Sequence, residues 1–128
     1  MKSIRTPLAT VRGLGSAKKG TGDFVAQRLT SVALTVLTIA FIWIVVRLNG
    51  EPYQTVVATL SSPLVALIFV AAILMTVVHM RIGMQVIIED YVHGEMPKLS
   101  LLILNWLFSW GVGLVAIFAV LKLAFGGV

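Results

Sequence analysis

Apolar residues fall along this chain in three long blocks, each of which predicts one helix. The first block runs from about Leu29 to Leu48 and is interrupted only by Thr30, Ser31, Thr35, Thr38 and Arg47. The second runs from Leu64 to about Ile88 and contains His79, Arg81 and Gln85. The third runs from Leu99 to about Phe125, with Asn105 its most polar interior residue and Lys122 near its end. A helix needs about 20 apolar residues to cross a bilayer core, and each block is long enough. Between them, Asn49-Gly50-Glu51-Pro52 and His93-Gly94-Glu95-Met96-Pro97 are turn chemistry. Pro63 and Pro97 sit close before a span, where a missing N–H costs little. The expectation is an all-α integral membrane protein with spans at about 27–48, 64–90 and 99–125. Residues 23–128 then form the transmembrane domain, and residues 1–22 a basic cytoplasmic segment.

Composition agrees. The chain of 128 residues is 59% hydrophobic and only 12% charged, with a mean hydropathy of +1.02. So few charges cannot clothe a water-facing surface, and the chain needs lipid or partner subunits around it. With no cysteine, it can supply no disulfide, no thiolate for an iron–sulfur cluster and no covalent c-type haem link. The net charge of +5 lies almost wholly before the first block, in a segment poor in aromatics, which speaks against nucleic acid as a partner.

Charge also predicts orientation. Lys2, Arg5, Arg12, Lys18, Lys19 and Arg28 precede or open the first block, whereas the first connection has only Arg47 at its edge, the second Lys98, and the tail Lys122. The excess places the N-terminus in the cytoplasm, or the matrix of a mitochondrion, and the C-terminus on the opposite side. A cleaved signal peptide fits badly, because the first block is about twice the usual signal core and no small-x-small site follows closely. The glycine-rich first 22 residues would be disordered alone; their role is topogenic, or docking onto a cytoplasmic partner.

Polar residues inside a span are costly and demand a reason. At about 100° per residue, Gly83, Val86 and Asp90 lie near the face of His79. Gly83, one turn beyond the histidine, removes side-chain bulk there, so that a flat macrocycle can approach the backbone. His79 has no acid at i±3 or i±4. It admits three readings: a hydrogen bond to a neighbouring helix with Gly83 allowing close packing, a haem ligand, or a proton relay. His93 lies fourteen residues on, roughly 21 Å along a continuous helix. The two histidines therefore cannot ligate one iron, and a bis-histidine haem here requires a second chain. At the end of the second block, Tyr91 beside Asp90 and Glu89 is either an interfacial anchor at a solvated helix end or a hydroxyl donor beside a carboxylate. The second arrangement is what a quinone headgroup at the edge of lipid needs.

The pattern of His79, three residues, Gly83, six residues and then Asp90-Tyr91 resembles the hydrophobic membrane anchor subunit of succinate dehydrogenase. So do Gly22-Asp23-Phe24 followed by Arg28, and Arg5-Thr6-Pro7-Leu8 with Arg12-Gly13-Leu14-Gly15-Ser16-Ala17. The resemblance extends over the whole chain in span number, orientation and motif order. It implies a non-catalytic anchor of succinate:ubiquinone oxidoreductase, respiratory complex II, in a bacterial inner membrane or the mitochondrial one. It implies a membrane partner, a cytochrome b subunit, with which one haem b is shared, and iron–sulfur and flavoprotein subunits docked on the cytoplasmic side. His79 matches the axial ligand of the haem iron, Arg28 an arginine near the haem propionates, Tyr91 the tyrosine that hydrogen-bonds ubiquinone, and Asp90 its neighbouring acid. Gly22 stands where some relatives have a histidine near a propionate, so that contact is not carried over.

Other residues read more plainly. Arg81, on a different face from His79, snorkels or pairs with a partner's acid. Ser109 and Gly113, with Trp106 and Trp110 one turn apart, predict helix packing; Asn105 predicts an interhelical hydrogen bond, and Lys122 snorkels to the far interface. Rival functions are a related fumarate reductase anchor, a cofactor-free structural anchor or assembly subunit, and a small transporter or proton-channel subunit using His79 and Arg81.

Overall fold

The computed structural model describes residues 6–13 and 20–126. Lys2, Arg5, Lys18 and Lys19, and the Leu14-Gly15-Ser16-Ala17 part of the N-terminal motif, lie outside the described residues. Among the described residues five helices follow one another: α1 (Pro7–Val11), α2 (Gly20–Leu48), α3 (Tyr53–Leu60), α4 (Pro63–Tyr91) and α5 (Glu95–Ala124). Three of these, α2, α4 and α5, are long and apolar enough to cross a membrane. No strand occurs among the described residues.

The apolar blocks locate the three long helices, but the helices extend past them. α2 begins at Gly20, nine residues before the apolar run, because Asp23 in the first turn suits the positive end of the helix dipole and nothing after Gly22 breaks the helix. α5 begins at Glu95 and absorbs Met96 and Pro97, which read as turn residues in sequence. Pro97 is the third helical residue, where its lack of an N–H leaves no intrahelical bond unmade, and Glu95 complements the dipole. The loop between α4 and α5 is thereby cut to Val92–Gly94. The short helix α3 in the first connection has no counterpart in the three-block pattern. It half-buries Val56, Val57 and Leu60 on one side and packs on α4 and α5.

The long helices form a row, with α4 packed along both α2 and α5. Contacts fix an antiparallel order: His79 of α4 meets Gln27 and Thr30 of α2, and near the other end Phe69 meets Phe41, ring centroids 5.3 Å apart. Gly50, with φ of +85°, takes the left-handed conformation that ends α2 and lets Glu51 N–H reach Leu48 O at 3.2 Å. On the other flank, a Cβ on Gly113 would lie 2.6 Å from Val77 Cγ2. Only glycine admits so close an approach of α5 to α4. Ser109 is fully buried and Gly113 buried, in keeping with the packing role read from their spacing. Asn105 Nδ2 donates to Arg81 O at 3.0 Å, the expected interhelical bond, and Ser109 Oγ donates to Asn105 Oδ1 at 3.3 Å. At the far end of α5, Ser61 Oγ donates to Leu123 O at 2.9 Å, adding to the longer bond of 3.4 Å that this carbonyl accepts from Gly126 N–H.

The buried apolar core among the described residues is only Ala66, Val77, Ile82 and Ile88, all on α4. The outer faces of α2 and α5 expose Leu29, Val36, Ile39, Phe108, Leu114 and Phe118 among many others. A row of helices has two broad apolar faces and no interior of its own, so hydrocarbon or other subunits must cover it.

Candidate cofactor and quinone site

α4 positions all the candidate residues except Arg28, and its register divides them into two places. His79 and Gly83 lie where α2 covers α4, and Asp90 and Tyr91 lie about 18 Å further along, at the helix end. Because α2 starts at Gly20 and runs antiparallel, it is level with α4 only to about Val86. Beyond that the same face of α4 is uncovered: Val86 and Asp90 are exposed.

His79 is half-buried, and both of its ring nitrogens have partners on α2. Nδ1 is 3.1 Å from Thr30 Oγ1, and Nε2 is 3.3 Å from Gln27 Nε2. The direction of these bonds follows from Thr30. Its buried hydroxyl oxygen is 2.8 Å from Ala26 O and 3.2 Å from Gln27 O. Two oxygens 2.8 Å apart require a proton between them, so the hydroxyl donates into its own helix. A threonine hydroxyl has one proton to give, so toward His79 the oxygen accepts. Nδ1 therefore carries the ring hydrogen and Nε2 keeps its lone pair, which the Gln27 amide N–H2 meets. Gln27 Oε1 is then left buried without a hydrogen-bond partner among the described residues, at a cost of about 1–3 kcal/mol. A Cβ on Gly83 would lie 3.4 Å from Gln27 Nε2, so the space beside the missing side chain is taken by the same amide. Sequence reasoning passed over Gln27 and Thr30. The signal was present in their spacing of three on the helix facing His79, but which helix faces His79 is a tertiary fact.

Arg28 is exposed, its guanidinium 5.2 Å from the centroid of the Phe24 ring. It neighbours Gln27 in sequence and lies on α2 near the end shared with Tyr91. Tyr91 is 78% exposed, and neither its side chain nor that of Asp90 makes a hydrogen bond or ion pair with a described residue. Glu89 is engaged instead: its side-chain Oε1 accepts from Gln85 Nε2 and its carbonyl accepts from Lys98 Nζ, both at 2.9 Å. That lysine satisfies one of the last four carbonyls of α4 and fixes the start of α5 against the helix end. His93 is exposed beyond the end of α4 and does not meet His79. Among the described residues no three His, Cys, Asp or Glu side chains converge.

A family model described as the succinate dehydrogenase/fumarate reductase transmembrane subunit matches residues 2–121. The chain belongs to this family. A succinate dehydrogenase hydrophobic membrane anchor subunit of Paracoccus denitrificans is 33% identical over 123 residues, covering 96% of this chain and 95% of the relative. The subunit of the same name from Rickettsia bellii is 26% identical over 106 residues, 83% of this chain and 85% of that one. One from Rickettsia conorii is 23% identical over 82% of this chain and 84% of its own length. No solved structure matches the chain. As a succinate dehydrogenase/fumarate reductase transmembrane subunit of the anchor type, the chain is a multi-pass membrane component of an enzyme complex. Its three long apolar helices are those a membrane anchor requires.

Proposed function

We propose that this chain anchors a succinate:quinone oxidoreductase in a bacterial inner membrane, supplies one axial ligand to a haem b, and forms part of the ubiquinone site. The observation that carries the haem reading is the contact of His79 Nδ1 with Thr30 Oγ1 at 3.1 Å, from which the tautomer follows. A histidine inside a span, holding its proton on Nδ1 and an available lone pair on Nε2, is prepared to bind iron. The surroundings fit the group once the Gln27 amide moves: that amide fills the space Gly83 leaves one turn away, and with an unsatisfied oxygen it loses little by moving. The haem would supply one-electron redox chemistry beside the quinone site. Arg28, exposed on α2 near the cytoplasmic end, would pair with propionates as an always-charged fork of donors. The second ligand must come from another chain, since His93 is out of reach; a cytochrome b subunit is the partner proposed.

At the end of α4, Tyr91 offers a free hydroxyl donor beside a free carboxylate, Asp90, at a membrane edge. A quinone carbonyl that accepts the Tyr91 hydrogen bond is polarised for reduction, and Asp90 with bulk water gives the proton source. The exposure of this end leaves the pocket half-built, so an iron–sulfur subunit would complete it, with the flavoprotein beyond. The basic N-terminal residues support a cytoplasmic position for this end.

A cofactor-free anchor also accounts for the hydrogen bonds of His79, since both ring nitrogens have partners within the chain. Purification of the intact complex from detergent-solubilised membranes separates the two readings. The haem reading expects a Soret band that is lost or altered by His79→Ala in an assembled complex. A complex with no band, or a band indifferent to His79→Ala, would leave the cofactor-free anchor standing.

A further inference from the structure

Ligation by His79 needs more than a histidine: the correct nitrogen must hold the lone pair and point the correct way. An imidazole with nothing bound to Nδ1 is free to exchange tautomers and to rotate about its side-chain bonds. Here the ring is held by an oxygen that cannot reverse its role. Thr30 is buried and committed to Ala26 O at 2.8 Å, so at 3.1 Å from Nδ1 it can only accept. The chain Nδ1–H to Thr30 Oγ1 to Ala26 O runs in one direction and ends on the backbone of α2.

We propose that Thr30 is a positioning residue for the haem, fixing the tautomer and ring orientation of His79, while the Gln27 amide occupies Nε2 only until iron takes it. This rests on the haem reading and deepens it. An acceptor on Nδ1–H makes the opposite nitrogen more basic, and a more basic ligand favours ferric over ferrous iron. The Thr30 hydroxyl therefore holds the midpoint potential of the haem below the value the same histidine would give without it. Gln27 touches the ligating nitrogen itself and is displaced on loading; its orphaned Oε1 marks an arrangement that a stronger partner for Nε2 would replace.

The test uses the intact detergent-purified complex, with Thr30→Val and Thr30→Ala removing the hydroxyl at two sizes and Thr30→Ser retaining it. The readouts are a redox titration of the haem and the low-temperature electron paramagnetic resonance g-values of its ferric form. Both hydroxyl-free variants are expected to raise the midpoint potential and shift the g-values, and Thr30→Ser to keep the parent values. The proposal is overturned if Thr30→Val and Thr30→Ala keep the parent potential and g-values, or if Thr30→Ser shifts as far as Thr30→Val. His79→Ala in parallel distinguishes the two failures. An unaltered haem spectrum in His79→Ala removes the ligand assignment itself, whereas an altered spectrum with inert Thr30 variants removes only the role of Thr30.

Discussion

Tyr91 and His79 stand one at each end of the same half-helix, and their surroundings differ in the way their proposed work requires. Tyr91 is exposed and unbonded, ready to donate to a ligand; His79 is held from two sides, ready to be a fixed donor of a lone pair. A hydrogen bond to a group that gains negative charge is worth about 1.5–3 kcal/mol, about 10- to 150-fold in rate. Tyr91→Phe is accordingly expected to lower quinone reduction by that factor while succinate oxidation with an artificial acceptor stays at the parent rate, a comparison made on one purified sample. Unimpaired quinone reduction would remove Tyr91 from the site. The residue types at His79, Gly83, Asp90 and Tyr91 were legible in the sequence because a polar group within lipid needs a reason. Thr30 and Gln27 were not, because a threonine that bonds its own helix is unremarkable until the partner facing it is known.

At the scale of elements, the seam between α4 and α5 is set by contact and by a polar clip, and the magnitudes rank them. Gly113 faces Val77 so closely that any Cβ forces the valine side chain or the helices to shift, and overpacking of this kind costs about 1–3 kcal/mol. The Asn105 bond to Arg81 O adds to a carbonyl already inside a helix, and such interhelical bonds in membranes average about 0.6 kcal/mol. Gly113→Leu is therefore expected to lower the thermal stability of the detergent-solubilised complex clearly, and Asn105→Leu only slightly, as followed by subunit release on heating. The reverse order would mean that the polar clip, not the close approach, holds the seam. The small-xxx-small spacing of Ser109 and Gly113 made this seam readable in sequence. The early start of α2 and α5 was not, since polar first turns look like loops until the helix dipoles that Asp23 and Glu95 complement are in place.

For the whole molecule, the row of three long helices has too little buried surface of its own to stand apart from lipid and partners. With the second connection cut to Val92–Gly94, the N-terminal end of α2 and the α4–α5 loop lie at one end of the row and the end of α5 at the other. The chain has no cysteine, so single cysteines report topology directly. In inside-out vesicles, His93→Cys is expected to react with a membrane-impermeant maleimide and Phe125→Cys to react only from the opposite side. The opposite pattern would reverse the orientation assigned from the basic N-terminus.

The sequence by itself determined that this chain enters a membrane in three passes, because apolar blocks of that length have no other stable solvent. It also determined that His79 and His93 could not share an iron, because helix rise alone separates them. Only the tertiary structure decided that α2 lies against His79, and thus which side chain each ring nitrogen meets. The physical reason is that the partner of Nδ1, Thr30, stands 49 residues away in the chain.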